Sequence, residues 1–122
     1  MTDEYGTFEH ADHTVPRREH GYCTDDMARV LVVTSREPAP SPLVQELGRK
    51  ALRFVTEAQG PNGDCANRRD CLGQWHGGYV VEDCWGRSLW GLGTAAARSP
   101  DDEVRRAALA HFERGARQRS QP

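Results

Sequence analysis

Lysine is almost missing from this chain. Lys50 is the only one, and the other 15 of its 16 basic residues are arginines. Against 18 acidic residues that leaves a net charge of -2, so no strong field of one sign favours nucleic acid or a membrane surface. Long apolar runs are absent too, which excludes a membrane-spanning helix. The N-terminus, MTDEYGTFEH, is acidic and has no apolar stretch, so it does not read as a secretory signal. A cytoplasmic location is the resulting expectation. Hydrophobic residues make up 37% and mean hydropathy is -0.76, a lean supply for one core. Cys23, Cys65, Cys71 and Cys84 lack zinc-ligand spacing, and the five histidines form no HExxH pattern. No metal and no cofactor are expected, and reduced thiols are.

What the chain does hold is helix punctuation. Thr24 reads as an N-cap, with Asp25 and Asp26 in the first turn, where the positive end of the helix dipole favours carboxylates. Arg29 follows at spacings that allow it to pair with either acid. This first helix is expected over about 25–36, ended by Pro38 and Pro40. Ser41 then caps a second helix with Pro42 at its first position. Leu43, Val44, Leu47, Ala51, Phe54, Val55 and Ala58 form its apolar stripe, and Gly60 and Pro61 stop it. A third helix is expected from near Glu82 to Arg98. A fourth is expected to be capped by Ser99, with Pro100 first and His111 packed in its core face.

The helical stretches come in two similar halves. A shift of 58 residues places Asp25 on Asp83, Arg29 on Arg87, Leu31 on Leu89 and Phe54 on Phe112. Such a period marks a repeated supersecondary unit. The expected fold is all-α: two consecutive αα-hairpins, 24–59 and 82–119, joined by a long loop 60–81 and preceded by an N-terminal loop segment 1–23. In each hairpin the first helix is apolar on most sides and the second is amphipathic. That suits an array with inner first helices and outer second helices.

The motifs are GYCTDDMAR after Pro16, an early FEHA segment (Phe8, Glu9, His10, Ala11), Arg68-Arg69-Asp70 with Trp75 in the loop, and EDCWGRSLWGLG from Glu82 to Gly93. Together they resemble the helical domain attached to, or encoded beside, bacterial family 4-type glycosyltransferases. Those domains are similar to the six-hairpin toroids of glycosidases. The resemblance runs over most of residues 5–98. Met27 departs from it, since the family usually has asparagine there. It implies a partial α/α toroid, about a third of such a ring, of the kind whose edge hairpins expose apolar faces. It also implies a carbohydrate context: a carbohydrate or sugar-nucleotide-linked substrate, and a glycosyltransferase domain or further copies of the chain as partners.

The candidate catalytic residues are the carboxylates at the inner helix starts, Asp25, Asp26, Glu82 and Asp83, because glycoside chemistry uses paired carboxyls. Arg29 and Arg87 would hold them ionised. Candidate substrate contacts are His10, Tyr22, Arg29, Arg68, Arg69, Trp75, His76 and Arg87, with Trp75 and His76 as a stacking platform for a sugar. If this is an enzyme, it is of the glycosyltransferase or glycoside hydrolase class and incomplete alone. The alternative is a non-catalytic helical scaffold or binding module, in which the acids are caps and Trp75 plugs the loop.

Overall fold

A computed structural model describes residues 22–70 and 72–118. His10, the FEHA segment and Cys71 lie outside these residues.

Four helices form: α1 (Thr24–Ser35), α2 (Pro42–Ala58), α3 (Asp83–Arg98) and α4 (Asp102–Ala116). They pack in pairs. α1 lies between α2 and α3, α4 covers the far side of α3, and α2 and α4 touch only lightly. The first helix of each hairpin is therefore central and the second peripheral, as the apolar patterning predicted. α1 and α3 run in the same direction. Asp25 and Asp83 meet at one end, while Ser35 and Ser99 line a small cavity at the other.

The all-α expectation needs correcting. The molecule is mainly α, at 62% helix among the described residues, with a small antiparallel sheet. Three two-residue strands make that sheet in the order β1 (Tyr22–Cys23), β2 (Arg68–Arg69), β3 (Trp75–His76). The stretch expected to be a plain loop is thus half hairpin. Its turn is closed by Asp70, whose carboxylate accepts from the backbone N–H groups of Leu72 and Gln74, both at 2.9 Å. Gly73 sits there at a φ of 85°, a conformation that only glycine adopts cheaply.

Register then sorts the side chains, because directly opposed residues of an antiparallel pair share a face. Tyr22, Arg69 and Trp75 share one, and Cys23, Arg68 and His76 the other. The first set meets α2. Phe54 packs edge-to-face on Tyr22 at 6.4 Å and on Trp75 at 5.0 Å between ring centroids. The core continues through Met27, Leu31, Val55 and Leu92.

Two helix starts also differ from expectation. Thr24 is inside α1, not its cap. Its hydroxyl donates to the Ala66 carbonyl at 2.7 Å, and its N–H donates to the Asn67 carbonyl at 2.7 Å. The side chain is used to clamp the helix start to a distant loop. In α4 the cap is Asp101, which accepts from the N–H groups of Glu103 and Val104, while Ser99 Oγ accepts one step earlier from Asp101 N–H. Ser41 caps α2 as predicted, accepting from Val44 N–H at 3.2 Å. Arg29 is exposed and, among the described residues, forms no ion pair with Asp25 or Asp26.

Candidate functional site

The starts of α1 and α3 are brought together by backbone pairing on either side of them. β1 feeds α1, and its clamp to Ala66 and Asn67 fixes where Asp25 sits. Cys23 Sγ donates to the Asn67 side-chain carbonyl at 3.4 Å, which orients that amide. On the other side Cys65 and Val80 exchange both backbone hydrogen bonds, at 3.0 and 2.8 Å, just ahead of α3. Between these supports opens a cleft of about 470 Å³ lined by Asp25, Asn67, Val80, Glu82, Asp83 and Cys84.

Three of the four predicted acids therefore share one opening. Asp25 comes from α1, Asp83 from the first turn of α3, and Glu82 from the position just before it. Asp25 Oδ1 is fully buried and has no hydrogen-bond partner among the described residues. A buried carboxylate oxygen without a donor is costly, and the great majority of buried polar atoms avoid it. Asp26 is half-buried and does not line the cleft.

Cys84 lines the cleft and has a second thiol, Cys65, behind it. Cys84 Sγ donates to the Cys65 carbonyl at 3.7 Å, and Cys65 Sγ lies 3.4 Å from Ser88 Oγ. The neighbouring Cys84, with burial behind it, pushes the Cys65 thiol up, while the Cys65 side holds Cys84 low. Of the two thiols, Cys84 is the one that lines the cleft. Beside this opening, around the same Glu82 and Asp83, runs a second open groove of about 560 Å³ lined also by Trp85, Gly86, Arg87 and Trp90.

The remaining predicted contacts lie elsewhere. Tyr22 is 1% exposed, in the core. Trp75 is wedged between Phe54 and the Arg69 guanidinium, which lies 5.2 Å above its ring. Arg69 also donates to the Gly73 carbonyl at 2.8 Å and to Glu57 at 2.7 Å, so it latches the β-hairpin to α2. His76 is exposed and meets Asp70 at 2.6 Å, and that imidazole, with the Gln74 N–H, holds the Asp70 carboxyl below the usual carboxylate range. Arg68 is exposed on β2, and Arg87 lies in the groove beside the cleft.

Sequence reasoning missed Asn67, Val80 and Cys84 as cleft residues, and Trp85 and Trp90 as groove residues. Cys84 directly follows Asp83, which is a usable signal, whereas Asn67 sits in an aperiodic stretch that offers none. Among the described residues no three His, Cys, Asp or Glu side chains are placed to hold a metal ion, and no helix is long and apolar enough to cross a membrane. No protein-family model matches the chain, and no curated protein matches it either.

Proposed function

We propose that this chain is a carbohydrate-handling domain, part of an α/α toroid like those of family 4-type glycosyltransferases and six-hairpin glycosidases, with its site at the starts of α1 and α3. One observation carries this reading: Asp25, Glu82 and Asp83, from two separate helices, line one open cleft with the Asn67 amide. Paired carboxyls on either side of a sugar are what glycoside chemistry requires, one to move a proton and the other to attack or activate water. Asn67 offers both a donor and an acceptor to sugar hydroxyls. The donorless, buried Oδ1 of Asp25 supports the reading further, because a local cost of this kind is characteristic of functional sites. The substrate class is a carbohydrate or a sugar-nucleotide-linked compound, and a glycosyltransferase domain is the natural partner.

The test is thermal unfolding of the chain with a panel of mono- and oligosaccharides. A sugar that binds only the folded state raises the midpoint by mass action, by about 2.7 kcal/mol of added stability at a hundred times its Kd. The expected result is a sugar-dependent rise that Asp25→Asn and Asp83→Asn abolish while unfolding stays cooperative.

A scaffold module is the second reading, and the packing of Tyr22, Arg69 and Trp75 against α2 favours it. It predicts no sugar-dependent rise, with both Asn variants changing only the baseline stability.

A further inference from the structure

The internal repeat relates α1 to α3, yet matched positions on the two helices are not equally covered. Shifting the buried residues of α1 (Thr24, Met27, Ala28, Leu31, Val32 and Ser35) by 58 gives Glu82, Trp85, Gly86, Leu89, Trp90 and Gly93, of which Trp85, Leu89 and Gly93 are half-buried against α4 and Glu82, Gly86 and Trp90 are exposed. The reverse shift takes the buried Cys84, Ser88, Gly91, Leu92 and Ala95 of α3 to Asp26, Val30, Val33, Thr34 and Glu37, of which Val33 and Glu37 are exposed, Val30 is half-buried at the core's edge and Thr34 is half-buried against Gly48 of α2. Within the chain, the covered stripe of α1 meets the covered stripe of α3 at Ala28 and Gly91. The approach is so close that a Cβ on Gly91 would lie 3.0 Å from the Ala28 carbonyl oxygen.

The uncovered stripes have the counterparts of that contact. Gly86 stands where the repeat has Ala28, and a Cβ added there would meet nothing within 4 Å. Val33 stands where the repeat has Gly91, and it is 70% exposed. Trp90, 45% exposed, stands where the repeat has Val32, which is 3% exposed. A single exposed apolar residue is ordinary. Here Trp85, Leu89 and Gly93 of the shifted stripe turn to α4, while Glu82, Gly86 and Trp90 beside them stay exposed, and their repeat partners identify the kind of surface that covers them. The surface that fits the α3 stripe is a helix like α3 itself, and the chain presents one, with the matching phase, on the open side of α1.

We propose that the chain assembles head to tail with a second copy. The Val30, Val33 and Thr34 face of α1 in one copy packs on the Gly86 and Trp90 face of α3 in the next, with Val33 seated over Gly86. The two faces are different, so the contact is heterologous, and each copy keeps one of each kind. Assembly then continues beyond two copies until a ring closes or a filament grows. The proposal rests on the repeat alone and not on the carbohydrate reading.

Sedimentation equilibrium of the full chain over a wide concentration range, without sugar, tests it. The wild type is expected to exceed the mass of a dimer at high concentration and to dissociate on dilution. Val33→Glu and Gly86→Glu each spoil one face, so each alone is expected to be a monomer. Mixed in equal amounts they retain one intact pair of faces and are expected to form a one-to-one dimer and nothing larger. A wild type that stays monomeric throughout overturns the proposal. So does assembly retained by either variant, or a mixture that stays monomeric when circular dichroism shows both variants folded. Thr34→Arg and Trp90→Ala replace them if either fails that folding check. A missing sugar response leaves these masses untouched, so the two readings fail separately.

Discussion

His111 is the residue through which this fold should feel pH. Its Nδ1 bonds the Gln59 side-chain Oε1 at 2.8 Å, and the Gln59 Nε2 donates back to the His111 backbone carbonyl at 2.7 Å. Burial, and Arg114 behind it, lower the folded imidazole below its ordinary value of 6.5. As pH falls, the unfolded chain therefore takes up the proton first. The stability is fully present above 6.5 and is lost as pH falls through the folded value. Urea midpoints measured across this window should decline toward acid, and His111→Gln should flatten the decline. That His111 faces the core was legible from the spacing of α4. Its link to Gln59 was not, because the partner lies 52 residues away and no local pattern encodes it. Thr24 carries the same lesson in reverse. It has the chemistry of a cap, but tertiary structure claims its hydroxyl for the Ala66 carbonyl.

At the scale of elements, the β-hairpin is held to α2 by Trp75 on Phe54 and by Arg69 on Glu57. Trp75→Ala should cost about 3 kcal/mol, the lower end for losing a large aromatic, because the ring is only half-buried. Arg69→Ala should cost less, about 1 kcal/mol, since Glu57 is partly exposed. Chemical denaturation of both variants would check that order. The helices were legible because proline, serine and the apolar stripes punctuate them. The strands were not, since two residues are too few to express an alternating period. The candidate cleft was half legible. The helix-start acids announce themselves, while Asn67 and Val80 enter only through pairing between segments that sequence cannot align. Gly91 marks another element-scale limit. Gly91→Ala should destabilise by about 1–3 kcal/mol, because the new methyl meets the Ala28 backbone and forces the helices apart. In the sequence this glycine looks only like a weak point in a helix.

The whole molecule is four helices packed in pairs, and positions matched by the 58-residue shift have different surroundings. The helix pairs were legible in the sequence, but the inequality of matched positions was not, since identities align residues without saying which stripe is covered. Gly63 shows how the halves are tied beyond the helices. At a φ of 88°, with the Arg114 carbonyl only 2.3 Å from where a Cβ would stand, it seats the loop against the end of α4.

The near contact of Ala28 with Gly91 also bears on how the fold comes apart. With backbone this close to backbone, neither central helix can fray without uncovering the other, so the two share one opening event. Native-state hydrogen exchange should then give the mid-helix amides of α1 and α3 a common protection factor, equal to that of global unfolding. The amides of α2 and α4, each covered chiefly by one neighbour, should exchange through smaller openings. Two different protection levels within the α1–α3 pair would mean that the two helix pairs unfold as independent units and do not form one cooperative body.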